Sequence, residues 1–121
     1  MDPAAVPRPN ELIFAPVGIA HITGAMRIAV RRLGATVLGE LSVLFQPHGI
    51  TCVLILAESH LIVSTWPEHQ LAHIDLLTCR ADTDPEHALE PIIDTFGDPK
   101  VHGQRIKRVA PLSVAVTAVS R

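Results

Sequence analysis

Residues 50–57 read ITCVLILA, an almost unbroken apolar run closed off by turn-formers on one side and Glu58-Ser59-His60 on the other. A run of this length is too short for an ordinary buried helix, and its Ile, Thr and Val residues favour an extended chain. A strand without polar alternation is expected to be buried on both faces, inside a sheet. The rest of the chain therefore has to supply neighbouring strands and at least one covering layer.

The remaining sequence supplies them. Residues 11–17 (ELIFAPV) suit a short edge strand, because Pro16 cannot donate to a ladder. From 22 to 33 the apolar residues Ile22, Met26, Ala29 and Leu33 recur at helical spacing, with Arg27 and Arg31 on the solvated side, and Gly34 supplies the stop. Residues 36–45 are rich in β-formers and precede the turn QPHG. Residues 60–65 and 71–79 read as two more strands joined around Trp66-Pro67-Glu68. A second helix opens with Asp84 as cap and Pro85 at its first position. It should bury Leu89, Ile92, Ile93 and Phe96, stop at Gly97, and kink at Pro91. Residues 100–109 form a further strand, and the alternating tail SVAVTAVS can form another. The expected fold is α+β: a two-layer α/β sandwich, its mostly antiparallel sheet carrying two helices on one face, as a single domain over 1–121 with residues 1–10 as a flexible arm.

Composition narrows the function. With 48% hydrophobic residues and a formal charge of −2, the chain has no basic surface for nucleic acid, and no apolar run reaches the length of a membrane span. The N-terminus MDPAAVPRPN lacks the layout of a secretory leader, so Cys52 and Cys79 are expected as reduced thiols in the cytoplasm. So apolar a small chain is also expected to bury a face against a second copy.

Polar chemistry gathers between Glu58 and Cys79. Strand parity puts His60, Ile62 and Ser64 on one side, and His73, Asp75, Leu77 and Cys79 on one side of the next strand. An antiparallel hairpin would bring Ser59 and His60 towards Cys79. A hydrolytic Ser-His-Asp site is disfavoured because no Gly-x-Ser-x-Gly elbow surrounds a serine. A metal site is disfavoured as well: His69 and His73 are four apart, but in a turn entering a strand, with no supporting Cys-x-x-Cys or His-Glu-x-x-His. Taken singly, Ser59 reads as a strand-end residue, Trp66 as a core plug, and Cys52 and Cys79 as buried hydrophobes.

Taken together, Glu58-Ser59-His60-Leu61, Thr65-Trp66-Pro67-Glu68 and Asp75-Leu76-Leu77-Thr78-Cys79 resemble the bacterial and archaeal S-adenosylmethionine decarboxylase proenzymes. The likeness extends upstream through Gly34-Ala35-Thr36-Val37-Leu38 and Phe45-x-Pro47-x-Gly49, downstream through Asp84-Pro85, and covers about residues 10 to 109. It implies autocatalytic cleavage between Glu58 and Ser59, giving a β chain of 1–58 and an α chain of 59–121 whose first residue becomes a pyruvoyl group. That ketone would form a Schiff base with the substrate amine and act as electron sink during loss of carbon dioxide, with no metal. By the same resemblance Cys79 is the proton donor, Phe45 stacks on adenine, Glu68 binds the ribose hydroxyls, and Trp66 belongs to the substrate-binding motif. The protein would be a homodimer of αβ protomers with its active sites at the interface. Its product would be the aminopropyl donor of polyamine synthesis.

Two positions depart from the pattern. The histidine of the family's His-Thr-Trp-Pro-Glu, which supports processing, is Ser64 here, and the helper serine eight residues before the cleavage site is Thr51. Threonine keeps the hydroxyl, but a serine cannot serve as an imidazole base. His60, on the face of Ser64, is the candidate substitute. Two alternatives stay open: a pyruvoyl decarboxylase acting on another amino acid such as ornithine or arginine, and a non-processing relative that binds a small molecule or partner protein.

Overall fold

The computed structural model describes residues 18–78, 83–97, 99–109 and 112–120. The expected strand at 11–17, the arm at 1–10 and Cys79 lie outside the described residues. Helix α1 (Ile19–Leu33) is followed by β1 (Val37–Leu44), β2 (Ile50–Leu56), β3 (Ser59–Trp66), a 3-10 turn (Pro67–His69), β4 (Leu71–Thr78), helix α2 (Pro85–Asp94), β5 (Lys100–Val109) and β6 (Leu112–Ser120). The strands form one six-stranded sheet in the order β1-β2-β3-β4-β6-β5, every neighbouring pair antiparallel. This is the expected two-layer arrangement. The tail strand β6 sits inside the sheet, between β4 and β5.

Both helices end and begin as their residues dictate. Gly34 takes φ 70°, and the bonds Gly34 N–H to Arg31 O and Ala35 N–H to Val30 O close a Schellman motif. In α2 the Asp84 carboxylate accepts from the His87 N–H at 3.1 Å, which holds this carboxyl below its usual range. Pro91 does not interrupt α2. Its missing N–H leaves the His87 carbonyl without a helical donor, and Arg32 of α1 fills that gap, its Nη1 donating to His87 O at 2.8 Å. The substitution of one donor for another ties the two helices together at the point where a kink was expected.

The core lies between helices and sheet. Ile22, Met26 and Ala29 of α1, with Leu89, Ile92 and Phe96 of the α2 segment, meet Cys52, Leu54, Leu61, Val63, Ile74 and Leu76, all essentially inaccessible. Burial of each larger side chain is worth about 1.5–3 kcal/mol. Cys52 is a core thiol as expected; burial pushes its pKa up, against a hydrogen bond with Ser42 that lowers it.

The reading of β2 as buried on both faces needs correction. Its residues alternate, with Cys52 and Leu54 at 0% exposure but Ile55 at 51%. Both helices lie on one side, so the other face of the sheet carries exposed Leu41, Val43, Ile55 and Ile106, with no second layer among the described residues. The apolar run is thus matched to more cover than the described residues provide.

Candidate active site

Glu58 is the second residue of a two-residue turn joining β2 to β3, where Leu56 pairs with Ser59. That position favours glycine or asparagine because it needs a left-handed backbone. Glu58 adopts φ 61°, a conformation that is costly for a side chain with a Cβ. The strained residue is therefore the one directly before Ser59. The Ser59 hydroxyl donates to the Ala57 carbonyl at 3.3 Å, and the Ala57 N–H donates to Thr36 O, tying the turn to the segment after α1.

Ser59 is half-buried and borders a cavity of about 100 Å³ lined also by Gly34, Thr36, Leu56, Leu76 and Thr78. Ser59 and Thr78 thus meet at one end of the sheet; Cys79, which the hairpin argument brought towards Ser59, follows Thr78 in the sequence and lies outside the described residues. The cavity is well below the roughly 300–1,000 Å³ of a pocket that encloses a small-molecule ligand.

The other residues of interest gather at the opposite end. Phe45, half-exposed, begins the turn into β2, and its N–H donates to Gly49 O at 2.8 Å. Gly49 has φ 107°, and a Cβ there would approach Thr65 O to 3.2 Å, so the turn closes tightly over the end of β3. His48 in that turn holds Glu68 of the 3-10 turn, Nε2 to Oε2 2.7 Å. The Thr51 and Ser64 hydroxyls are hydrogen-bonded at 3.0 Å across β2 and β3. Trp66 is not a core plug. It is 37% exposed and makes a T-shaped contact with the His73 ring, centroids 4.8 Å apart.

Thr51 and Ser64 are cross-strand partners, as are Leu56 and Ser59. Five residues separate the two rungs, about 17 Å at strand rise. One chain does not bring Thr51 and Ser64 to its own Ser59. His60, the candidate substitute base, stands next to Ser59 but faces the open side, where its Nε2 lies 3.5 Å from Asp75 Oδ2. Sequence reasoning placed His73 on one face of its strand, where with Asp75 it could support the site, but assigned it no partner. The register sets it directly opposite Ser64, a relation that only the length of the intervening turn determines. Among the described residues no three or more His, Cys, Asp or Glu side chains gather as a metal site, and no helix is long and apolar enough to cross a membrane.

Residues 18–109 match the family model described as S-adenosylmethionine decarboxylase. The chain belongs to the S-adenosylmethionine decarboxylase family. It is 38% identical over 90 residues to the S-adenosylmethionine decarboxylase proenzyme of Acidithiobacillus ferrooxidans, covering 74% of this chain and 68% of that one. To the proenzyme of Prochlorococcus marinus it is 37% identical over 100 residues, covering 83% and 79%. Its fold is similar to the crystal structure of the adenosylmethionine decarboxylase from Aquifex aeolicus, with a TM-score of 0.57 and 29% identity over 85% of this chain and 74% of that one. The family match spans both ends of the sheet, the Ser59 turn and the Phe45–Glu68 cluster alike.

Proposed function

We propose that this chain decarboxylates S-adenosylmethionine with a pyruvoyl group made from its own Ser59 after the backbone opens between Glu58 and Ser59. The carrying observation is the left-handed φ of Glu58 in the turn immediately before a serine. Strain at that residue raises the peptide towards the transition state for attack by the neighbouring hydroxyl. The residues fit the group: a terminus starting at Ser59 would border the cavity beside Thr78, at the end of β4 that continues to Cys79. When present, the pyruvoyl carbonyl supplies the electron sink for loss of carbon dioxide. Cys79 then returns a proton, and no metal is required. Phe45 offers its ring face to the adenine, Trp66 flanks it, and Glu68, anchored by His48, offers a carboxylate oxygen to the ribose hydroxyls.

A homodimer completes the site. The substrate-binding end and the Ser59 end of one chain are about 17 Å apart along β2 and β3, counted at strand rise. A second copy laid over the open face with its strands reversed would bring its Thr51–Ser64 end to the first copy's Ser59 end. The same contact would cover Leu41, Val43, Ile55 and Ile106. The Glu58–Ser59 peptide is backbone at the sheet's end, approachable from the open face although the Ser59 side chain turns to the cavity. We further propose that this dimer works in the cytoplasm, where its thiols stay reduced.

The test is intact-mass spectrometry of the purified protein together with carbon dioxide release from carboxyl-labelled S-adenosylmethionine. Expected are fragments 1–58 and 59–121, the second blocked by a ketone, a dimer by sedimentation, and loss of both cleavage and activity in Ser59→Ala. Ile55→Glu should give folded monomers that release no carbon dioxide. One observation favours a non-processing relative instead: at the position of the family's histidine, Ser64 bonds to Thr51. A chain that stays whole, without a ketone, decides for that reading. A cleaved chain inert on S-adenosylmethionine but active on ornithine or arginine would reassign the substrate.

A further inference from the structure

We infer that His73 supplies the imidazole missing at Ser64 and serves as the base of self-processing, acting on the Ser59 end of a second copy. The inference rests on the reading of Ser59 above. Three observations carry it. His73 is the register partner of Ser64 on the adjacent strand, so both side chains leave the same, open face of the sheet. Directly opposite residues have Cβ atoms only about 5 Å apart, within the reach of an imidazole that swings across. The ring is exposed rather than buried, and Trp66 braces it on one side in a T-shaped contact. Lastly, Ser64 and Thr51 are already bonded to one another. That pair offers hydroxyls for hydrogen bonding to the reacting peptide but no group that accepts a proton near neutral pH.

The alternative imidazoles fit less well. His48 is engaged with Glu68 in the turn beyond the strands, and His60 pairs with Asp75 at the far end. His73 is the one whose place in the ladder coincides with position 64.

The chemistry asks for one proton acceptor. After the Ser59 hydroxyl attacks the Glu58 carbonyl, the peptide is an ester with a free amine at residue 59. The base removes the proton from Cα of residue 59. The C–H electron pair forms the Cα–Cβ double bond as the Cβ–Oγ bond breaks, and the Glu58 carboxylate leaves with that bond's electrons. The resulting enamine becomes an imine, which water hydrolyses to the ketone with release of ammonia. Without the base the reaction should halt at the ester.

The experiment compares cleavage of freshly purified wild-type protein, His73→Gln, and the double variant Ser64→His/His73→Gln, by mass spectrometry with and without hydroxylamine. Removal of a general base should slow cleavage roughly 100-fold or more. In His73→Gln, hydroxylamine should split the trapped ester, leaving Glu58 as a hydroxamate and Ser59 as a free amine. The double variant should mature again at a rate near wild type, which a loss of folding in the single variant would not allow. Wild-type cleavage with an unaffected His73→Gln overturns this inference and leaves the decarboxylase reading intact; so does failure of Ser64→His to restore maturation. A wild-type chain that never cleaves takes both down.

Discussion

Replacing Glu58 by glycine isolates the energy held in the turn before Ser59. Glu58 sits at φ 61°, where an L-residue with a Cβ pays about 1–2 kcal/mol that glycine does not. Part of the gain returns as greater freedom of the unfolded chain, about 0.4–1 kcal/mol, so the uncleaved Glu58→Gly protein should be about 1 kcal/mol more stable. The effect on processing has the opposite sign. Strain of about 1–2 kcal/mol, released as the Glu58 carbonyl becomes tetrahedral, corresponds to a rate factor of roughly 5- to 30-fold. Glu58→Gly should therefore fold better and mature more slowly. Stability is read from urea denaturation in a Ser59→Ala background, where no cutting interferes, and maturation from the time course of fragment 59–121 by mass. A glycine variant that matures as fast as wild type, or that is less stable, refutes the idea that the turn stores energy for the reaction.

Other consequences are simpler to check. Arg32→Ala should lower stability by about 0.5–1 kcal/mol, the value of a part-exposed hydrogen bond to the His87 carbonyl. The loss should shrink in a Pro91→Ala background, where the helix regains its own donor, and a urea double-mutant cycle measures the difference. Asp84 has its carboxyl pKa lowered by the His87 N–H, so its contribution is complete above the usual carboxylate range and is lost as pH falls through the folded-state value. Denaturation of wild type and Asp84→Asn from pH 6 to about pH 2 should show wild type losing ground only on acidification. Phe45→Ala should raise KM for S-adenosylmethionine about tenfold through lost stacking, with no change in the rate of chain cleavage.

Much of this molecule is written locally. The Gly34 stop, the Asp84-Pro85 start and the alternation of β3 and β4 all follow from short-range rules, and each occurs as expected. What escaped depends on partners distant in sequence. Pro91 reads as a kink until Arg32, 55 residues before His87, replaces the lost donor. The tail alternates like any strand, and nothing in its residues says that it enters between β4 and β5. Position 64 reads as a lost histidine because periodicity reports the face of a side chain but not its neighbour across the ladder. That neighbour, His73, emerges only with the register fixed by the turn at Pro67–His69. The apolar run of β2 reads as buried on both faces for a related reason: a sequence records that a face is greasy, not whose surface will sit on it.

The β2–β3 turn lies at a seam of the architecture. On one side are α1, β1 and β2; on the other are β3, β4, α2, β5 and β6, the two groups joined by the β2–β3 ladder and by the packing of α1 on α2. A cut there removes no rung and exposes no core, so the two pieces would stay clasped. Yet it would change how the fold can be reached. An intact chain finds its structure by a first-order search, whereas a severed pair must meet by diffusion and refolds at a rate set by its concentration. Such a protein would get one easy passage to its native form, before the turn opens, and afterwards would depend on never coming apart.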